Sequence, residues 1–147
     1  MTFLKSLDIS ASGLTAQRLR MDVVAENVAN IYTTRTPDGG VYQRRYVIFQ
    51  QGTANTGLPF SHYMNGYAAN SGKGVSVAGI GVDNTPGELD YNPSHPDANE
   101  EGYVQMPNVD MVKEMVDMMS AYRSYEANIT ALNAIKGMAV KALEISR

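Results

Sequence analysis

The N-terminal residues of the chain carry a hydrophobic pattern that is typical of a long amphipathic helix. Their apolar positions recur at alternating steps of three and four residues, with Arg18 as the one polar interruption: Leu4, Leu7, Ala11, Leu14, Met21, Ala25 and Val28. Such steps stay on one face of a helix, because an α-helix has 3.6 residues per turn. The pattern therefore predicts a helix within residues 1–31, with a heptad seam like that of a coiled coil.

The C-terminal residues repeat this pattern more regularly. Their stripe is broken only by Lys136, and its apolar members are Met111, Met115, Met118, Tyr122, Tyr125, Ile129, Leu132, Ala139 and Leu143. Pro107 and Asn108 stand just before the stripe, and Asn is a favoured residue at the start of a helix. The sequence therefore predicts a second long helix over residues 108–147, with Asn108 as its N-cap.

The residues between the two helices favour short strands. Four segments rich in β-branched and aromatic residues are the candidates: Val41–Phe49, Val75–Ile80, Leu89–Tyr91 and Tyr103–Gln105. Residues 51–74 contain mostly Gly, Asn, Ser and Ala, which predicts a flexible loop or a weak hairpin at Asn65–Gly66. The predicted fold is mainly α with inserted β: helices over residues 1–31 and 108–147 form a coiled-coil-like core, and residues 32–107 form an irregular β-rich outer region.

A hairpin of only these two helices would leave apolar side chains in water. Six of them lie off the predicted stripes: Val24, Ile31, Val112, Met119, Ile135 and Val140. Burying them requires further helices, so we expect both ends to be loosely ordered in an isolated chain and to order within a multi-helix assembly. The helical core of an ordinary monomeric domain is the alternative that the pattern leaves open.

Composition narrows the class of protein. The chain of 147 residues is 44% hydrophobic and 18% charged, which is typical of a folded domain. Its net charge of −3 resides in the middle region, and without a basic stripe we expect no nucleic-acid partner. The sequence contains no run of 18 apolar residues, so it predicts no membrane span. We also expect no cleavable signal peptide, because the N-terminus lacks the apolar region of one.

Catalysis and cofactor binding are not expected. With no cysteine and two histidines, the chain offers neither disulfides nor Cys-ligated zinc nor a His-rich metal site. Ser94, His95 and Asp97 are the one enzyme-like group, but a catalytic triad draws its members from separate segments so that they can face one another. We therefore predict a protein that is not an enzyme and has no cofactor.

The N-terminal helix also carries a motif that resembles the signature of the flagellar rod and hook proteins. The residues that carry this resemblance are Ser12, Gly13, Leu14, Gln17, Asn27, Ala29 and Asn30. Asn27 and Asn30 are predicted to cap the helix end and to shape the turn that follows. Residues 92–110 and 114–128 resemble the proximal-rod members of the same family, whereas residues 51–74 match no pattern of it.

The resemblance implies a structural subunit of the bacterial flagellar rod. Such subunits pass unfolded through the flagellar type III export apparatus, without a cleavable signal, and assemble in the periplasm. Their terminal helices stack into concentric tubes that line the export channel and transmit torque, while the middle region faces outward. The implied partners are other copies of the chain, the rod proteins FlgB, FlgF and FlgG, and the export-gate adaptor FliE.

On this interpretation the helical stripes are the assembly interface. Its expected members are Leu4, Leu7, Leu14, Met21, Val28, Met111, Met115, Met118, Tyr122, Tyr125, Ile129, Leu132 and Leu143. Two alternatives stay open at this point. One is a sister rod component such as FlgB, and the other is a helical adaptor outside the flagellum.

Overall fold

The computed structural model describes residues 2–37, 39–52 and 74–145. Within these ranges, two long helices flank four strands in sequence: α1 (Thr2–Ala29), β1 (Arg45–Gln51), β2 (Val75–Val82), β3 (Leu89–Tyr91), β4 (Tyr103–Gln105) and α2 (Met111–Ile145). This confirms the predicted class, mainly α with inserted β. The predicted hairpin at Asn65–Gly66 and nearly all of the predicted loop 51–74 lie outside the described residues.

The two helices pack against each other in antiparallel orientation. Asn27, near the end of α1, contacts Glu114 at the start of α2, whereas Gly13 in the middle of α1 lies against Asn128 further along α2. At about 1.5 Å per residue, the 28 residues of α1 and the 35 of α2 extend over roughly 42 and 52 Å. Each helix is therefore longer than any strand that the structure describes, since the longest of these has 8 residues.

The start of α2 differs from the prediction. Asp110, rather than Asn108, caps this helix, because its Oδ1 accepts the backbone N–H groups of Val112 at 2.8 Å and of Lys113 at 3.4 Å. A carboxylate is well suited to this place, since it meets both the free N–H groups and the positive end of the helix dipole. Asn108 instead accepts the N–H of Arg44 and donates to the carbonyl of Asp83.

The strands form two separate antiparallel pairs, β1 with β2 and β3 with β4. β1 begins at Arg45, four residues after the predicted Val41, because Tyr42 and Arg44 bond to side chains of the helices. The register of β1 against β2 shifts between Ile48 and Phe49, which marks a bulge. Both strands of this pair contact α1, so the β region is attached to the helices along one side.

The β3–β4 hairpin encloses the residues of the Pro-rich segment 92–102. Its strands are joined by an edge-to-face contact of Tyr91 with Tyr103, whose ring centroids lie 5.2 Å apart. Gly102 has φ +83°, a left-handed conformation that glycine adopts without steric cost, and its N–H bonds to the carbonyl of Asn99. The sequence prediction of both strands is confirmed residue for residue.

Candidate functional site

A cluster of polar side chains lies where α1, α2 and the start of β1 meet. Its centre is Asn27, whose side chain is 0% exposed. Asn27 Nδ2 donates to the carbonyl of Arg45 at 2.8 Å and to Glu114 Oε2 at 2.9 Å. Its Oδ1 accepts the N–H of Arg45 and the hydroxyl of Tyr42, both at 2.9 Å. One amide thus joins three separate parts of the chain.

Charged groups of this cluster neutralise one another. Glu114, also 0% exposed, accepts a hydrogen bond from Arg44 Nε at 2.6 Å. The same guanidinium donates to Asp117 Oδ2 at 3.1 Å, and Arg20 of α1 donates to Asp117 Oδ1 at 3.0 Å. Two carboxylates are matched by two guanidinium groups, which a buried charge requires if it is to stay ionised. We call Arg20, Asn27, Tyr42, Arg44, Glu114 and Asp117 the polar junction.

The hydroxyl of Tyr42 is held in its neutral form by this environment. Burial raises the pKa of Tyr42 above its usual value of 10.0, and the negative charges of Glu26 and Glu114 raise it further, against the opposite effect of Arg45. A neutral phenol can donate a hydrogen bond, whereas a phenolate cannot. Tyr42 therefore remains a donor to Asn27 at any pH near neutrality.

The motif residues Asn27 and Asn30 have different roles. Asn30 matches the predicted role, since its Nδ2 donates to the carbonyl of Glu26 and its Oδ1 accepts the hydroxyl of Thr33. The prediction that Asn27 caps the helix is wrong. Its amide points into the interface with α2, where Tyr42, Arg45 and Glu114 take up both ends of the group, and none of these partners is close in sequence.

The remaining motif residues lie along α1. Ser12 Oγ donates to the carbonyl of Ile9 and accepts the N–H of Val75, so it attaches β2 to the helix. Gly13 permits close contact with α2, because a Cβ there would stand 3.1 Å from the side-chain amide of Asn128. Leu14 is half-buried, and Gln17 is half-buried with its Oε1 enclosed. Ala29, the last residue of α1, is exposed.

The structure divides the predicted stripes into two groups. Of the thirteen stripe residues predicted to form the assembly interface, seven are half-buried: Leu7, Leu14, Met21, Val28, Met118, Tyr125 and Leu132. Six are exposed: Leu4, Met111, Met115, Tyr122, Ile129 and Leu143. The fully buried helix positions are mostly small or polar instead: Ser10, Ala16, Val23, Val24 and Asn27 in α1, and Glu114 and Ala121 in α2. The face with which each helix contacts the other therefore lies beside the predicted stripe and not at its centre.

The apolar residues off the stripes also differ from the prediction. Val24 was expected to stay in water but is buried, and Ile31 and Ile135 are half-buried. Val112, Met119 and Val140 are exposed, as predicted. β1 packs against α1 beside Val24, a contact that a hairpin of two helices alone would lack.

The exposed apolar residues form a groove along the two helices near the polar junction. Met21 of α1 lines it together with Met115, Met118, Met119 and Tyr122 of α2, and Arg123 and Glu126 stand at its end. Met115 is 57% exposed and Tyr122 is 58% exposed. A flexible thioether adapts to differently shaped neighbours, so a surface of this kind suits contact with another protein.

The enzyme-like group Ser94, His95 and Asp97 is arranged as a loop and not as a triad. Ser94 Oγ donates to Asn92 Oδ1, and His95 Nδ1 accepts the backbone N–H of Asp97. The Asp97 carboxylate accepts hydrogen bonds from Thr34 and Arg35 instead, so it fastens the β3–β4 hairpin to the segment after α1. The hydrogen bond from Thr34 is the main reason that the pKa of Asp97 is lowered, and Arg35 contributes to the same shift.

Within residues 2–37, 39–52 and 74–145, His, Asp and Glu side chains nowhere gather in a group of three that could hold a metal ion. Neither helix, as far as it is described, combines the length and the apolar character that crossing a bilayer requires.

Comparison with known proteins places the chain in a family. Residues 7–35 match the family described as flagella basal body rod protein, and residues 100–145 match the one described as flagellar basal body rod FlgEFG protein C-terminal. The flagellar basal-body rod protein FlgC of Bacillus subtilis is 51% identical, with all of both chains covered. FlgC of Borreliella burgdorferi is 46% identical over 99% of this chain and 98% of its own.

A third relative is also similar over its whole length. FlgC of Salmonella typhimurium is 42% identical over the full length of both chains. These relatives favour FlgC over the sister component FlgB and over an adaptor outside the flagellum. With identities of this size over whole chains, together with a rod motif on α1 and a second rod match on α2, the chain belongs to the FlgC family of flagellar basal-body rod proteins.

Proposed function

We propose that this structural subunit of the flagellar rod enters its assembly through the exposed apolar faces of its two helices. Those faces consist of the outward members of the stripes and the methionine groove described above. The half-buried stripe residues complete the same surface at its edges. Membership of the family makes the chain a rod subunit that assembles with other rod components, and the proposal concerns which residues make those contacts.

One observation carries this proposal, namely that many large apolar side chains are exposed while two polar ones are fully buried. Among the described residues, the largest fully buried side chains are Glu114 and Asn27, whereas Leu143 is 73% exposed and Met115 and Tyr122 are more than half exposed. Monomeric proteins rarely leave large apolar side chains exposed side by side, and such patches mark contacts with other molecules. Neighbouring helices would remove these residues from water.

Charge also favours packing between copies. Residues 1–31 contain three acidic and three basic side chains, and residues 109–147 contain five of each. Helices without net charge pack side by side without overall repulsion. The methionines of the groove can adapt to neighbours that differ from this chain. We therefore propose as partners other copies of the chain, the rod proteins FlgB, FlgF and FlgG, and FliE.

We further propose a location, an export route and a role for each region, which the resemblance to rod proteins supports. The subunit is located in the periplasmic part of the basal body and arrives through the flagellar type III export apparatus. Residues 1–31 and 108–147 form a helical core that lines the export channel and transmits torque, and residues 32–107 face outward. The role is structural, without catalysis.

The experiment places a charge on the proposed surface. In a motile strain that depends on this chain, Met115→Asp and Ile129→Asp should abolish motility, because a carboxylate in an apolar contact between subunits is unpaired. Asn133→Asp is the matched control, since it adds the same charge at an exposed polar position of the same helix. Electron microscopy should show basal bodies without a complete rod in the two former variants and complete basal bodies in the control.

Circular dichroism of the purified variants separates assembly from folding. Met115 and Ile129 are exposed, so all three variants should keep the helix content of the wild type. Complete hook-basal bodies in the Met115→Asp and Ile129→Asp strains would disprove the proposed interface.

A further inference from the structure

The contact between α1 and α2 repeats every seven residues on both helices. Small or polar residues occupy these positions: Gly13, Arg20 and Asn27 in α1, and Glu114, Ala121 and Asn128 in α2. Asn27 bonds to Glu114 at one end of the series, and Gly13 lies against Asn128 at the other. Arg20 bonds to Asp117 between them.

A seven-residue repeat cannot define its own register. When one helix of such a pair slides by seven residues, its seam presents the same face to the partner, so apolar packing alone distinguishes the two arrangements weakly. In this chain a slide of one heptad would place residue 13 beside residue 121 or residue 135 in place of Asn128. Some other contact must therefore select the observed arrangement.

Buried charge can make that selection. Glu114 is fully buried, and its two carboxylate oxygens are taken up by Arg44 and Asn27. A slide by one heptad would separate Glu114 from both partners, and an unpaired carboxylate in a buried place is strongly unfavourable. Buried polar residues are the best-attested means of defining the register of paired helices.

We propose that Arg44, Asn108 and Glu114, acting on Asn27, form a register lock for the two helices. Two residues of this lock, Arg44 and Asn108, do not belong to either helix. Arg44 lies in the middle region and bridges Glu114 to Asp117, and its backbone N–H donates to Asn108 Oδ1 at 2.7 Å. Asn108 in turn donates to the carbonyl of Asp83, at the end of β2. The β region therefore sets the alignment of the helices that carry it.

The lock is a property of the single chain and does not depend on the proposed assembly surface. Asn27 and Glu114 are fully buried and Arg44 and Asn108 are half-buried, whereas the proposed surface includes exposed side chains such as Met115 and Tyr122. Failure of the proposed function would leave the lock unaffected, and failure of the lock would leave the outward faces of the helices in place.

Cysteine cross-links can report the register, because the chain has no cysteine of its own. A Cβ at residue 13 would stand 3.2 Å from Asn128 Cγ, so the pair Gly13→Cys/Asn128→Cys is within reach of a disulfide in the observed register. The pairs Gly13→Cys/Ala121→Cys and Gly13→Cys/Ile135→Cys report slides of one heptad in either direction. Each pair is oxidised in purified full-length chain, and the disulfide is identified by mass spectrometry.

The unlocked variant is Arg44→Met/Asn108→Ala/Glu114→Met, which removes both buried charges together and leaves neither unpaired. With the lock intact, the 13–121 and 13–135 cysteine pairs should each give less than about a hundredth of the disulfide yield of the 13–128 pair. In the unlocked variant they should give at least about a tenth of that yield. The matched control is Glu26→Met/Arg45→Met, which removes an exposed ion pair between α1 and β1. It should give the 13–128 disulfide alone.

Arg44→Lys tests the lock if the unlocked variant does not fold. A lysine keeps the charge but cannot bridge two carboxylates as a guanidinium does, so the slid disulfides should appear here too, in smaller amounts. The proposal is overturned if the folded unlocked variant forms the 13–128 disulfide alone. It is also overturned if the unlocked variant and Arg44→Lys both lose their helical circular dichroism, because the contact would then serve folding in general and not register.

Discussion

Asn27 donates a hydrogen bond to Glu114 over 2.9 Å, although the two residues stand 87 positions apart in the chain. Both side chains are fully enclosed, and few apolar residues of the described ranges are also buried: Ala16, Val23, Val24, Tyr42, Val104 and Ala121. The contact holds the N-terminal helix, the C-terminal helix and the first residues of the β region at one place. Much of the tertiary structure therefore depends on a polar contact.

The first prediction concerns this contact. Asn27→Ala leaves the buried Glu114 with one partner fewer and also frees the Tyr42 hydroxyl and the backbone of Arg45. We expect the free energy of unfolding, measured in urea, to fall by about 3 kcal/mol. Asn30→Ala is the control and should cost about 1 kcal/mol, since Asn30 is half-buried and its partners are local. Equal losses in the two variants would contradict the central role of Asn27.

The second prediction concerns the close approach of the helices at Gly13. Through helix propensity alone, Gly13→Ala should raise the free energy of unfolding by about 1 kcal/mol. The new Cβ, however, would stand 3.1 Å from the Asn128 amide. We expect little gain in the wild type and the full gain in an Asn128→Ala background, both from urea unfolding. Gly137→Ala is the control, because its Cβ meets no atom within 4 Å and its gain should be the same in both backgrounds. If Gly13→Ala stabilises the chain equally with Asn128 and with alanine at residue 128, the two helices are not in close contact at this place.

The third prediction concerns the attachment of β2 to α1. Gly74 has φ +73°, and a Cβ there would stand 2.1 Å from Ser12 Oγ. Gly74→Ala should therefore lower the free energy of unfolding by about 3 kcal/mol, through both the backbone conformation and the clash. Gly39→Ala serves as control, since Gly39 has φ +84° with open space around it, and should cost about 1 kcal/mol. The expectation fails if the two variants unfold at the same urea concentration.

The fourth prediction concerns pH. The hydrogen bond from Thr34, with help from Arg35, holds the pKa of Asp97 below its usual value of 3.8. A carboxyl whose pKa is lowered by folding stabilises the folded state above its usual pKa, and this contribution is lost as the pH falls through the folded-state value. Wild type should therefore be more stable than Asp97→Asn by a constant amount above about pH 5, and the difference should shrink below about pH 4.

Thermal unfolding of both proteins between pH 7 and pH 2 measures this difference. Thr34→Val is a second comparison, because it removes the hydroxyl that lowers the pKa of Asp97 and keeps the size of the side chain. In Thr34→Val, the loss of stability on acidification should occur at a higher pH than in the wild type. A difference between wild type and Asp97→Asn that stays constant down to pH 2 would show that the contact does not lower the pKa of Asp97.

Local order was predictable because local interactions determine it. Periodicity predicted both helices, and strand propensity predicted β3 and β4 to the residue. The errors lie where a distant partner overrides local preference. Asn108 is a good N-cap by type, but Arg44 and Asp83 engage its side chain, and Asp110 caps α2 instead. For the same reason β1 begins at Arg45 and not at Val41.

The sequence by itself determined the fold class, the two amphipathic helices and the family, because each of these is written in residues that are close neighbours in the chain. Only the tertiary structure decided which face of each helix lies inside. Apolar periodicity indicates that a face avoids water without telling which molecule will cover it. Here Asn27 and Glu114 pair within the chain, and Met115 and Tyr122 are left on the outside. A buried charge must meet its partner at bonding distance, whereas an apolar side chain accepts any cover that excludes water.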